Sequence, residues 1–360
     1  MQFDRRTLLS MMGYGAGAAA LSGLGLNRAR AADANTITVL NWQGYGTDEA
    51  WALKIFKEKT GITVVHDYFN SEAEMVTKLR TNPGAYDVAL IDTARTTQVA
   101  KLNILDPIDF SQIPNSADLQ PFLKNNSNVT LDGKVYGCAW LWGMNSLAAR
   151  STVTPQPDSF QALADPKFAG RVALYDDAVN SVMLAALMTG QNPQNPSDLA
   201  GITKALKALK PNVKVLWSSE DQWDKSFAAN EFDLSIYWSG SCARSRMNFH
   251  LPVDFIIPKE GAISWLDGLS VPNTSTRKAA AYKFINFMID PGFYVEWATK
   301  VGAPASANQK AIEELPADNL IRTIHKPEYL QRMAMMGPLT NKQRNDFTNV
   351  WEEVKAYYAG

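Results

Sequence analysis

The sequence predicts an α/β protein built as two lobes, each a sheet flanked by helices. Three observations carry this. A chain of 360 residues has room for about two domains. An apolar fraction of 46% against 20% charged residues is enough to fill packed cores and excludes a disordered chain. An alternation of strand and helix signals begins at residue 36 and restarts after Trp142.

Residues 1–31 read as an export signal rather than as part of the fold. Arg5-Arg6 is a twin arginine, a weakly apolar run rich in Gly and Ala follows, and Ala29-Arg30-Ala31 has the small-x-small form of a cleavage site. Gly13-Tyr14-Gly15-Ala16-Gly17-Ala18 matches a dinucleotide fingerprint, but no strand precedes it and it is discarded. This segment holds four arginines and one aspartate, so its removal shifts the net charge from −1 to −4. The remainder has no apolar stretch of about 18 residues or more. It is therefore expected to be periplasmic, exported by the twin-arginine route. Its mildly acidic balance argues against a nucleic-acid surface. Cys138 and Cys242 are the two cysteines, and they suit a disulfide and a pair of buried thiols equally well.

Thr36 to Leu40 is a β-branched run that opens the first lobe. Thr47 suits a helix cap, Asp48 and Glu49 suit the first turn, and Gly61 suits the stop. Ile62 to Tyr68 reads as the second strand, Ser71 to Arg80 as a helix and Tyr86 to Ile91 as a third, buried strand. This alternation predicts a parallel sheet covered on both faces. In the second lobe Arg171 to Tyr175, Val213 to Trp217 and Phe232 to Trp238 read as strands, and Asn180 to Leu187 as a helix. A long helix is expected from Thr276 to Ile289, stopped by Asp290-Pro291-Gly292, and a last one from Gln343 to Tyr357.

The enzyme inventory is thin. His66, His250 and His325 are scattered, so a His/Cys metal site is not expected, and no phosphate-binding loop, nucleophile elbow or other cofactor motif appears. Gly44-Tyr45-Gly46 lies between a strand and a helix, but Asp48 and Glu49 beside it would repel phosphate.

What converges is a set of aromatic and acidic residues just past strand ends. Trp42 and Tyr45 follow the first strand, Asp92 the third, Asp176 and Asp177 the 171–175 strand, and Trp238 and Ser241 the 232–237 strand. The loop Ser264 to Gly268 places Trp265 and Asp267 two residues apart, on one side if extended. Ligands of open α/β sheets bind beyond the carboxyl ends of strands. Asp92 and Asp177 also suit helix caps, and Trp42 and Trp238 also suit core positions. Taken together, rings and carboxylates fit a cation, each ring face being worth about 0.5–2 kcal/mol. A sugar site would use aromatics too. A glycosidase would need a carboxylate pair, for which Asp92 and Asp177 are the candidates.

At these residues the chain resembles the bacterial spermidine/putrescine-binding proteins, the solute receptors of ABC importers. The matching runs are Leu40-Asn41-Trp42-Gln43-Gly44-Tyr45, Tyr86-Asp87-Val88, Trp142-Gly143, Tyr175-Asp176-Asp177-Ala178, Pro258-Lys259-Glu260-Gly261 leading to Trp265-Leu266-Asp267, and Tyr282 to Met288. The resemblance implies a type II-like periplasmic-binding-protein fold with a hinge. Its lobes would comprise residues 35–139 plus 266–313 and 143–262 plus 316–360. It implies no enzymatic activity and no cofactor. Its partners would be a small amine and the permease subunits of the inner membrane. Carried over by position, Trp42 and Tyr45 would box the amine, Asp177 and Asp267 would bind its ammonium groups, and Trp238 and Trp265 would form walls. Four positions depart from the family pattern. Gly44 and Asn180 replace acids, Asp92 replaces a serine, and Ala94 replaces a tyrosine near it. Fewer carboxylates favour putrescine, a monoamine, or an amino acid such as GABA, for which Arg244 or Arg95 would meet the carboxylate.

Overall fold

In the computed structural model, which describes residues 35–360, the β-branched run at the start forms strand β1 (Thr36–Asn41), which pairs in parallel with β2 (Thr63–Tyr68) and β3 (Val88–Asp92). The expected export signal lies outside the described residues. Helix α1 (Ala50–Thr60) ends at Gly61, whose φ of 72° is the left-handed stop expected there. Its N-cap is Glu49, not Thr47. Thr47 is buried and instead accepts a 2.7 Å hydrogen bond from Asn41 Nδ2. Helix α2 (Glu72–Thr81) is capped by Ser71, which accepts from the Glu74 amide.

The expected all-parallel sheet is corrected to a mixed one. Strand β4 (Cys138–Arg150) and strand β8 (Ala262–Pro272) run side by side, antiparallel, through its middle. Between them in sequence come β5 (Val172–Tyr175), β6 (Val213–Trp217) and β7 (Leu234–Trp238). The spatial order is β2-β1-β3-β8-β4-β7-β5-β6, and four short strands that pair with β4 or β8 bring the sheet to twelve strands among the described residues. The parallel pairs flank the antiparallel seam on both sides: β1 with β2 and β3 on one, β5 with β6 and β7 on the other. The Ser264 to Gly268 segment expected as a loop lies inside β8. Its polar and glycine residues mask the strand in sequence, while neighbours on both sides supply its ladder.

Helices follow the expected pattern. Helix α3 (Ala178–Met188) is buried along nearly its whole length, and α4 (Leu199–Ala208) and the final helix α9 (Asn341–Ala359) pack with it. These three cover one face of β5 and β7 with a core that includes Leu174, Met183, Ile236 and Trp351. Helices α5 (Glu220–Ala228) and α6 (Ser239–Phe249) lie against the other face, where Trp223 stacks on Tyr237 at 3.7 Å between ring centroids. Helices α7 (Lys278–Met288) and α8 (Pro291–Lys300) join the core around β1 and β3. Trp140 and Trp142 are buried in β4, where their indole N–H groups donate to Met288 O and Ser306 O. Cys138 and Cys242 are free and buried, which decides between the two readings of that pair.

Candidate functional site

The carboxyl ends of β1, β3, β5 and β7 open onto one cavity of about 560 Å³, and the middle of β8 forms its floor. Trp42, Tyr45, Asp92, Asp177, Asn180, Trp238, Trp265 and Asp267 all line it.

The first turn is shaped from within. Asn41, fully buried, donates to Tyr45 O and Thr47 Oγ1 and accepts from the Trp42 amide at 2.7 Å. Gly44 adopts φ 69°, a conformation that strains other L-residues, and its amide donates to Asp48 Oδ2. The turn thereby sends Trp42 and Tyr45 inward. Trp42 is held edge-on against Phe69 at 4.4 Å. The Tyr45 hydroxyl donates to Asp267 Oδ2 at 2.8 Å.

Asp267 is 7% exposed and stands directly opposite Asp92 in the antiparallel register of β8 and β3. Residues so paired share a face, with Cβ atoms about 5 Å apart. The β8–β4 register slips just after Asp267. Asp92 does not cap a helix, since the N-cap of the next one is Arg95; its Oδ1 accepts from the Ala94 amide at 2.6 Å. Burial, and then the Asp267 and Glu72 charges, hold the Asp92 carboxyl well above the usual range. Burial pushes Asp267 up to about 7, against the stabilising Tyr45 hydrogen bond. Burial and mutual proximity thus disfavour ionisation of both carboxyls. Among the described residues neither forms an ion pair. Trp265, two residues before Asp267, lies on the same face, and its ring fits because position 143 is glycine. A Cβ there would stand 2.5 Å from Trp265 Cζ2.

The opposite wall is built on β5, α3 and β7. Asp177 caps α3 as well as lining the cavity: its Oδ1 accepts from the Asn180 amide at 2.8 Å and from Asn180 Nδ2 at 2.9 Å. That fixes the Asn180 amide, whose Oδ1 accepts from Asn145 Nδ2. Asn145 Oδ1 is then left buried without a partner at the cavity wall. Trp238 is braced edge-on by Tyr175 and Trp217 at 5.0 and 4.9 Å.

The sequence reading missed Asn145, Tyr175, Glu72 and Arg344, which also line the cavity. Asn145 sits in a strand that carried no recognised period, and Arg344 in the last helix, whose cleft-facing side the sequence does not mark. Arg244 reaches the cavity but is bound to Glu220 at 2.5 and 2.8 Å. Arg95 is paired with Glu72 at 2.8 Å and is not at the cavity wall. Asp92 stands opposite Asp267 across the β3–β8 ladder, while Asp177 lines the other wall of the same cavity. Among the described residues no cluster of His, Cys, Asp and Glu is arranged for a metal ion, and no helix is long and apolar enough to cross a membrane.

A family model described as bacterial extracellular solute-binding protein matches residues 51–323. The spermidine/putrescine-binding periplasmic protein of Escherichia coli is 30% identical over 293 residues, 80% of this chain and 82% of that one. The chain belongs to the bacterial extracellular solute-binding proteins. A putrescine-binding periplasmic protein of Pseudomonas aeruginosa is 24% identical to this solute-binding protein over 93% of its length and 96% of the relative's. The crystal structure of a spermidine/putrescine ABC transporter substrate-binding protein from Streptococcus pneumoniae superposes with a TM-score of 0.80 at 22% identity, covering 90% of this chain and 99% of that one. The fold of this solute-binding protein is thus the two-lobed fold of periplasmic binding proteins, with the mixed sheet described above.

Proposed function

We propose that this solute-binding protein is the periplasmic receptor of an ABC importer and that it captures putrescine, spermidine or a related small amine in the cavity, without chemical conversion. The carrying observation is the opposed Asp92–Asp267 pair. Two partly or fully buried carboxyls face each other without a cation, beside the rings of Trp42 and Trp265. An ammonium group placed there removes the repulsion, donates two charge-assisted hydrogen bonds and lies against aromatic faces. Asp177 and the unpartnered Asn145 Oδ1 offer acceptors on the other wall. The names of the relatives from Escherichia coli and Pseudomonas aeruginosa support an amine ligand.

In this reading the lobes are residues 35–139 plus 266–313 and residues 143–262 plus 316–360, and residues 1–31 direct twin-arginine export. Ligand closes the lobes through its greater affinity for the closed state, and the closed form engages the permease. A micromolar receptor requires about −8 kcal/mol, within reach of three charged contacts and two or three ring faces after ordering costs. Calorimetry with putrescine, spermidine, GABA and choline tests the ligand class. Binding of at least one is expected, and no heat with any amine would overturn the reading.

A further inference from the structure

The cavity holds one charge that an amine site does not need. Arg344, on the first turn of α9, lines it and is half-buried. Among the described residues its guanidinium makes no hydrogen bond and no ion pair. The other two arginines near the cleft are committed, Arg244 to Glu220 and Ser241, and Arg95 to Glu72 and Gln98. Glu72 is the nearest carboxylate influence on Arg344, yet its own ion pair is with Arg95.

Arg344 also stands where the local structure disfavours a cation. The first turn of a helix carries the positive end of the dipole, where acids are stabilising and bases are not. Burial and the Arg95 charge weaken its hold on its proton further. Three local penalties with no local partner mark a group that is satisfied from outside the chain. It offers a planar fork of donors whose natural complement is a carboxylate. An ammonium group brought to the same place would be repelled.

Resting on the amine-receptor reading above, we infer that the physiological ligand carries a carboxylate as well as an ammonium group, the ammonium seated at Asp92–Asp267 and the carboxylate on Arg344. The ligand class is then amino acids with a terminal amine, not simple polyamines. The acids of the opposite wall leave room for a second ammonium in the same molecule.

Matched probes test this. Ornithine is putrescine with one added carboxylate, and 4-aminobutyrate is putrescine with one terminal aminomethyl group replaced by a carboxylate. In calorimetry at pH 7.5 at least one of the two is expected to bind ten times or more tighter than putrescine. Arg344→Gln should erase that preference by weakening the amino acids without weakening putrescine, and Arg344→Lys should restore part of it. Circular dichroism and thermal melts confirm that the variants fold. Putrescine binding tighter than both amino acids overturns the inference and leaves the amine reading standing. So does an Arg344→Gln loss that is equal for all three ligands and is reproduced by Glu72→Gln, since that marks an ion pair formed on closure. No binding by any of the three, nor by spermidine or choline, overturns the amine reading itself.

Discussion

Asp267 and Asp92 occupy facing positions on neighbouring antiparallel strands, and the acid of β8 also accepts the Tyr45 hydroxyl at 2.8 Å. Two acids in one dry corner repel each other while the cavity is empty, and that repulsion can be measured. Asp267→Asn should raise the melting temperature of the ligand-free protein, because it removes one member of the pair. The same change should weaken amine binding by tenfold or more, since a charge-assisted hydrogen bond contributes about 1.5–3 kcal/mol. Stability up and affinity down is the expected signature. A fall in both would point to a packing role for Asp267 instead.

The raised carboxyl values set a pH dependence. Asp267 titrates near 7 in the folded chain and near 4 in an unfolded one, so the folded state holds more protons between those values. Stability of the empty protein therefore falls as pH rises from about 4 to about 7. Ligand affinity runs the other way, because an ammonium needs the ionised acids. Affinity should climb across pH 5.5–7 by up to tenfold per unit and level off above about 7. Titrations near pH 6 in buffers of different ionisation enthalpy should show protons released on ligand binding.

Tyr45→Phe deletes the hydrogen bond that holds the Asp267 value down. The pH midpoint of binding should move upward in that variant, with an affinity loss under tenfold at pH 8. An unmoved midpoint would mean that the hydroxyl does not bear on the titration of the pair.

Gly143→Ala places a methyl group against the Trp265 ring. The ring must leave the β4 surface or the strands must part, at a cost of about 1–3 kcal/mol in stability. Loss of one ring face, worth about 0.5–2 kcal/mol, should weaken an ammonium ligand by a few-fold to about thirtyfold. Fluorescence of Trp265, isolated by difference against Trp265→Phe, should shift in the ligand-free variant.

Asp177 has two roles that two substitutions separate. Asp177→Ala removes the α3 cap, expected to cost about 0.5–2 kcal/mol, along with the charge. Asp177→Asn keeps a capping oxygen and removes only the charge. If Asp177 meets an ammonium, both weaken diamine binding, while the alanine variant alone loses thermal stability.

Much of this was legible before the structure. Trp42, Tyr45, Asp92, Asp177 and Trp238 follow clear strand signals, and placing a ligand beyond those ends needs only the α/β rule. Gly61 and Asp177 announce their helix ends by residue type. The central seam was not legible. Strand β4 is buried from Cys138 to Ala149, with no alternation of apolar and polar residues, because both of its faces are covered, and such a run carries no period. Strand β8 carries Ser264, Asp267 and Gly268, a composition typical of loops, and is held extended by its neighbours rather than by propensity. Arg344 was hidden for a different reason. Nothing in a helix sequence tells which of its charges faces a cleft whose other walls come from distant parts of the chain.

The seam has a mechanical consequence. Strands β4 and β8 join both flanks of the sheet, so in the proposed closure each parallel half would swing about their shared ladder. Trp265 and Asp267 stand on that ladder. A guest held there grips the fulcrum rather than either lever arm. A small change of twist in two strands is then magnified toward the rims, so the outer surface can signal an occupied cavity without any relay of side chains between them.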